Sequence, residues 1–223
     1  MIKRGSERDF FSKLHKSTTR SPLERMTPEK PNNMVVAKRF GKDFWDGDRK
    51  YGYGGYVYLP GRFNAVAEEL ICLYDLTNES SILDVGCGKG FLLYEIQKIL
   101  PRIRVHGFDV SSYAIENIHP GLVGDFIVHD ANHPFPYQDN EFDLVISAAT
   151  LHNLRLHGLK NALVEMQRVG VQAYLMVEGY RDEKELFNLE CWALTAESFF
   201  HYDEWLWLFD EYGYDGDYEF IYF

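Results

Sequence analysis

Three glycines on alternate positions, Gly86, Gly88 and Gly90, join an apolar run, "ILDV", to a second apolar run of helical spacing, "FLLYEI". Glycine at such a joint lets the backbone take positive φ and removes side chains that would hold a ligand away. The helix behind the turn starts with unpaired N–H groups and a partial positive charge. The stretch is therefore either a bare connector or a turn whose backbone comes close to a ligand. The elements that follow must decide between the two.

Apolar residues recur at helical spacing from Phe63 to Tyr74, and Ile82–Val85 then reads as a strand. Helices over Phe91–Leu100 and Tyr113–Ile118 alternate with strands over Arg104–Phe108 and Asp125–Val128. Phe142–Ser147 is a nearly continuous apolar run, which predicts a strand buried on both faces of a parallel sheet. Leu159–Val169 reads as a helix, Ala173–Glu178 as a strand, and Asp203–Tyr212 as a helix with Asp203 as its N-cap. "DYEFIYF" supplies a closing strand. Strands alternating with helices give an α/β fold class with a single doubly wound, mostly parallel sheet. Residues 63–223 form that domain, and residues 1–62 form a basic arm followed by a Tyr/Gly-rich lid. Short helices are expected in the arm near Phe10–Lys16 and Met34–Arg39.

Charge is unevenly divided. Residues 1–50 carry 13 Lys and Arg against 7 Asp and Glu, whereas residues 51–223 carry 10 against 27. An acidic body repels phosphates and excludes a duplex nucleic-acid partner. The three cysteines, Cys72, Cys87 and Cys191, are scattered, which argues against a disulfide framework and against a cysteine-built metal site. No apolar window reaches the length of a membrane span, and the first residues lack a signal peptide's apolar centre. A reduced, cytoplasmic protein, either monomer or homodimer, is the expectation.

The later strands give the glycine turn a context. Asp109 ends the second strand, where an acidic residue can accept both hydroxyls of a ribose. Asp130 follows the third strand and can receive the exocyclic amine of an adenine. A dinucleotide fingerprint, G-x-G-x-x-G, is not met, because Phe91 stands where its third glycine should fall. Asp84, two residues before Gly86, is unfavourable beside a pyrophosphate but suits a donor with a cationic amino-acid group.

With these motifs the chain resembles the class I S-adenosylmethionine-dependent methyltransferases. "LDVGCGKG" is similar to their first motif and "FDVSSYAI" to their second, and "HDANHPFPYQDNEFDLVISAATLHNL" is similar to the pair that follows. The resemblance implies a Rossmann-like sheet of seven strands and S-adenosyl-L-methionine as cofactor. It places Gly86, Cys87, Gly88 and Gly90 against the methionine part, with Asp84 near its amine. It gives Asp109 the ribose, Val110 the adenine face, Asp130 and Ala131 the adenine edge, and Ser147 the strand end beside the methionine portion. "LHKSTTR", "FWDGDRKYGYGGY" and "GRF" look similar to a bacterial subgroup linked to surface-polysaccharide and nucleotide-sugar pathways.

Methyl transfer to a hydroxyl needs orientation, exclusion of water and a base within reach, and no metal. His152, just past the fourth strand, is the first candidate base, with a packed or capping histidine as the bland reading. Glu178, ending the fifth strand, is expected to orient a hydroxyl or to pair with the arm. His201 reads as structural. Tyr51, Tyr53, Tyr56 and Tyr58 form either a lid that shields the sulfonium through ring faces or mere cover. Tyr53 joins the expected cofactor residues, as does Arg62, which can meet the donor carboxylate with a bidentate pair. Lys13, His15, Lys16 and Arg20 form a basic knot that reads as a phosphate site or as a solvated face. Trp192, Trp205 and Trp207 read as core or cover. The expected function is methyl transfer to a small hydroxyl-bearing metabolite, such as a nucleotide-linked sugar or polysaccharide unit. A protein or tRNA acceptor, or a domain that binds without catalysing, is the alternative.

Overall fold

The computed structural model describes residues 5–17 and 21–223, so Arg20 of the basic knot lies outside the described residues. Helices α1 (Ser12–Lys16), α2 (Lys30–Ala37), α3 (Lys42–Asp46) and α4 (Asn64–Leu73) precede the sheet. Next come β1 (Ser81–Val85), α5 (Phe91–Ile99), β2 (Arg104–Asp109), α6 (Ser112–Glu116) and β3 (Asp125–Val128). The second half is β4 (Phe142–Ala148), α7 (Leu156–Val169), β5 (Gly170–Glu178), α8 (Glu183–Trp192), α9 (Tyr202–Tyr212) and β6 (Asp217–Ile221).

The strands make one sheet in the order β3-β2-β1-β4-β5-β6, with every neighbouring pair parallel. The doubly wound α/β class stands, with six strands among the described residues where seven were expected. β6 pairs with β5 on one side, and on the other it meets the arm at a single bridge, Glu7 with Tyr218. Arm residues thus cover the edge where a seventh strand would lie.

Burial follows the two-residue alternation of the strands. Leu83, Val85, Val145, Leu175 and Val177 pack on one face with Leu163 and Met166 of α7 and Trp205 and Phe209 of α9. Ile82, Leu144, Ile146, Tyr174 and Met176 pack on the other with Leu70 of α4 and with Leu93 and Ile96 of α5. Trp205 is fully buried core, whereas Trp207 on the same helix is exposed.

Two local expectations need correction. The N-cap of α9 is His201, not Asp203, because the Glu204 carboxylate reaches back to accept the His201 N–H at 2.8 Å and starts the helix earlier. The sequence pattern also gives no element at α8, which begins where Asp182 accepts the N–H groups of Lys184 and Glu185.

The arm is fastened to the sheet by a buried carboxylate. Glu219 of β6 is 1% exposed and accepts the N–H groups of Phe10, Phe11 and Ser12, so it caps α1 from another element. It also accepts the Tyr174 hydroxyl at 2.7 Å. Lys13 of the basic knot instead reaches toward solvent-exposed Glu69, at 3.8 Å.

Candidate functional site

β1 lies between β2 and β4, and the chain winds away from it in opposite directions on the two sides. A crevice therefore opens beyond the carboxyl ends of these strands. The glycine turn fills its floor. Gly86 and Cys87 both donate their N–H to the Phe108 carbonyl, at 2.8 and 3.0 Å. Asp109 Oδ2 accepts the Gly88 N–H at 2.9 Å, and its Oδ1 accepts the Ser111 N–H at 2.8 Å. Gly86 has φ +81°, and a Cβ there would lie 2.1 Å from Thr150 Oγ1. Gly88 has φ +55°, with the Trp45 ring 3.0 Å from where a Cβ would sit.

Above the turn is a cavity of about 680 Å³, a volume suited to a small cofactor. Its walls bring together Tyr53, Arg62, Asp84, Gly86, Cys87 and Gly88 with Asp109, Val110, Asp130 and Ala131. Two expected residues lie off these walls. Gly90 sits at the start of α5, where a Cβ would meet Leu122 at 2.6 Å, so its glycine serves helix packing. Ser147 is wholly buried and donates its hydroxyl to the Val85 carbonyl at 3.0 Å, tying β4 to β1.

Among the described residues, three buried side-chain polar atoms have no hydrogen-bond partner: Asp84 Oδ1, His129 Nε2 and Asn153 Oδ1. All three belong to residues that line this one cavity. Buried polar atoms are almost always paired, so three orphans together mark a wall built for a polar ligand. Burial, aided by the charge of Asp109, pushes the Asp84 carboxyl up to about 8. A cationic group beside it would restore the carboxylate. Burial also raises the Asp109 carboxyl, against the opposing pull of its Ser111 and Gly88 hydrogen bonds. Two backbone donors leave that carboxylate with spare lone pairs for a diol. Asp130 uses Oδ1 to accept from the Asn132 backbone and side chain, at 2.9 and 2.7 Å.

The arm closes the cavity with rings. Trp45 stacks on Tyr53 at 5.3 Å, Tyr53 meets Tyr56 at 4.5 Å, and Tyr56 stacks on Phe91 at 4.9 Å. The Trp45 indole N–H donates to Ser111 Oγ at 2.9 Å, fixing its position over Gly88. The tyrosines divide by task. Tyr53 and Tyr56 line the cavity, whereas Tyr58 donates its hydroxyl to Glu95 of α5 at 2.6 Å. Tyr51 ends a short turn under the Lys50 ammonium. Lys89, inside the glycine turn, is buried and donates to both oxygens of Asp46 and to the Tyr56 carbonyl. Burial alone would raise the Asp46 carboxyl, but hydrogen bonds from Lys89, Tyr113 and the Tyr56 amide bring it below its usual value. Neither Trp45 nor this ion pair was anticipated from the sequence.

His152 and Glu178 line a second cavity of about 320 Å³. It shares Tyr53, Arg62, Ala149 and Met176 with the first. Ala149, at the mouth of both, holds the left-handed φ of +58°, a strained value for a residue with a Cβ. His152 is 4% exposed, and burial lowers its pKa although Glu178 opposes this. Its Nδ1 accepts the Glu178 N–H at 3.3 Å, so the neutral ring carries its proton on Nε2, 3.5 Å from Glu178 Oε2. Among the described residues no group of three or more His, Cys, Asp or Glu is arranged to hold a metal ion, and no helix is long and apolar enough to cross a membrane.

Residues 82–171, from β1 into β5, match the methyltransferase domain family Methyltransf_25. Over this stretch the chain is similar to a methyltransferase domain. The methyl donor of such a domain is S-adenosyl-L-methionine, and the orphaned Asp84 carboxylate, the glycine cradle and Asp109 fit its ammonium, methionine and ribose parts. Among curated proteins, the chain is 25% identical over 145 residues to mouse arginine-hydroxylase NDUFAF5, mitochondrial, covering 62% of this chain and 41% of that protein. It is 28% identical over 148 residues to ribosomal RNA small subunit methyltransferase C of Pectobacterium atrosepticum, covering 61% and 40%. The chain thus spans about two fifths of the length of the curated relatives it matches. Among solved structures, the YcgJ protein of Bacillus subtilis superposes with a TM-score of 0.52 at 17% identity, covering 66% of each chain. A chain of the complex containing the Haloferax volcanii Trm112 methyltransferase activator gives 0.54 at 20%, also covering 66% of each. These likenesses share the fold of the methyltransferase domain.

Proposed function

We propose that the protein is an S-adenosylmethionine-dependent methyltransferase acting on a small hydroxyl-bearing acceptor that occupies the second cavity. The observation that carries this reading is the pairing of two cavities across Tyr53, Arg62, Ala149 and Met176, with a carboxylate, Glu178, in the wall of the second. When bound, S-adenosylmethionine supplies a methyl group on a sulfonium, already activated for in-line displacement by an acceptor oxygen.

This chain's own residues do the rest. Asp84 takes the donor's ammonium, Arg62 its carboxylate and Asp109 its ribose hydroxyls. Val110, Asp130 and Ala131 flank the adenine, and the rings of Trp45, Tyr53 and Tyr56 keep water from the reacting centre. The proton of the acceptor hydroxyl passes to a Glu178 carboxylate oxygen. The expected roles of His152 and Glu178 are exchanged here. The one basic lone pair of His152 is committed to a backbone N–H, so the ring orients Glu178 and leaves the carboxylate as the proton acceptor.

A second cavity of about 320 Å³ suits a metabolite, and a sugar hydroxyl, free or nucleotide-linked, is consistent with it. Two relatives bear names that point to ribosomal RNA and to arginine, which makes a macromolecular acceptor the competing reading. The acidic body opposes an RNA acceptor.

Calorimetry with S-adenosylmethionine tests the donor, and transfer of a labelled methyl group to small-molecule and RNA fractions tests the acceptor. Glu178→Gln should keep donor affinity while lowering turnover about 10²–10⁴-fold, the usual worth of a positioned base. Full turnover in that variant, or label found only in RNA, would overturn the reading.

A further inference from the structure

The second cavity inverts the charge of the body that contains it. Residues 51–223 carry 27 acidic against 10 basic residues, yet this cavity's walls hold Arg62 from that body, and Arg25 and Arg49 from the basic arm, with a single acidic side chain, Glu178. Two of the arginines are brought together. The Arg25 guanidinium lies 4.2 Å from the centroid of the Trp192 ring and that of Arg49 5.2 Å from it. Both donate to the same carbonyl, that of Gly52, Arg25 at 2.8 Å. Among the described residues Arg49 forms no ion pair with a carboxylate.

Two guanidinium groups converging on one indole and one carbonyl repel each other, and an oxyanion offsets that repulsion, since planar guanidinium forks match carboxylate and phosphate oxygens. Hydrogen bonds to Gly52 and stacking on Trp192 also fix the forks before any ligand arrives, which reduces the ordering cost of binding.

We propose that the Arg25–Arg49 pair is an oxyanion subsite, so that the acceptor is a small molecule carrying a carboxylate or phosphate at one end and its reacting hydroxyl, near Glu178, at the other. This rests on the methyl-transfer reading above for the acceptor's role, but the subsite can be tested without it. Arg62, at the junction of the two cavities, stays with the donor.

The test uses the full chain with and without saturating S-adenosylhomocysteine. Inorganic phosphate and acetate are titrated at constant ionic strength, and the arginine Nε–Hε signals are followed by NMR. The expected result is a saturable shift of the Arg25 and Arg49 signals with a dissociation constant in the millimolar range. Arg49→Gln should weaken it about tenfold, the loss of one charge-assisted pair. Arg49→Lys, which keeps the charge and loses the fork, covers the case in which the glutamine variant fails to fold. A response to phosphate alone assigns a phosphorylated acceptor, to acetate alone a carboxylate, and to both the shared oxyanion chemistry. No saturable shift with either anion, or binding that survives both variants unchanged, overturns the proposal. Calorimetry with S-adenosylmethionine on the same samples keeps the two readings apart: failure there removes the methyl-transfer reading while the anion result stands.

Discussion

Lys89 Nζ lies 2.7 Å from Asp46 Oδ2, so the glycine turn that floors the donor cavity is joined to the aromatic arm that roofs it by one ion pair. The Lys89 side chain is 8% exposed and that of Asp46 25%, which puts the pair between surface and core. The same carboxylate accepts the Tyr113 hydroxyl at 2.7 Å and the Tyr56 N–H at 3.0 Å. One acidic side chain therefore holds three segments together.

Asp46→Ala should destabilise the protein by about 2–4 kcal/mol, because it strands a buried ammonium and frees the roof at the same stroke. Replacing Lys89 by Met in the same chain removes the stranded charge and should recover part of the loss. Denaturant unfolding of both variants checks this. A double variant no more stable than the single one would mean that Lys89 finds water as its partner.

With the donor's ammonium beside Asp84, as proposed, cofactor binding should depend on pH. In the folded protein its carboxyl titrates near 8, whereas in the unfolded chain it does so near 4. Between these limits the folded state holds the extra proton, so this group's contribution to stability falls as pH rises from about 4 to about 8. Asp84→Asn is neutral throughout. Relative to the natural protein it should gain about 1–3 kcal/mol between pH 5 and pH 9 while losing donor affinity. Thermal melts at both pH values decide it: an equal offset at each would mean that Asp84 is ionised in the folded state.

The parts of this site that were legible in the sequence lie at strand ends. Asp84, Asp109 and Asp130 follow apolar runs at places the doubly wound pattern fixes, and the structure brings all three to one cavity. Roof and fastenings were not legible, because they depend on pairs remote in sequence. Lys89 and Asp46 are 43 residues apart, and neither belongs to a periodic pattern. Glu219 reads as one polar position in an aromatic strand, and only the packed arm shows that it caps α1. Ser147 and Gly90 are expected from the sequence to touch the cofactor, but neither lines the cavity, because their side-chain space turns toward β1 and toward Leu122. The omitted α8 had a local signal in Asp182, Glu183 and Glu185, an acidic cap and first turn.

Glu219 should matter to stability far more than a strand-edge carboxylate usually does. Glu219→Ala leaves the Phe10, Phe11 and Ser12 N–H groups and the Tyr174 hydroxyl without their acceptor, at about 3–5 kcal/mol. Glu219→Gln keeps one accepting oxygen and should lose roughly half as much. Limited proteolysis should cut within residues 5–17 faster in the alanine variant. Unchanged cleavage there would place the arm's anchor elsewhere.

Gly86 and Gly61 separate backbone strain from steric closeness. Their φ values are nearly equal, +81° and +77°, but a Cβ on Gly86 meets Thr150 at 2.1 Å whereas one on Gly61 meets nothing within 4 Å. Gly61→Ala therefore carries only the left-handed strain, about 1–2 kcal/mol. Gly86→Ala adds an overpacking cost of about 1–3 kcal/mol and pushes Thr150 into the donor cavity, so its loss of stability should be the larger and donor affinity should fall with it. Gly86→Ala with Thr150→Ser keeps the strain and removes one of the clashing atoms, and should regain part of the difference. Paired unfolding and calorimetric titrations provide the measurement. Equal costs for Gly61→Ala and Gly86→Ala would show that the turn can shift away from Thr150, and that the fit between β1 and the loop after β4 does not set the shape of the donor cavity.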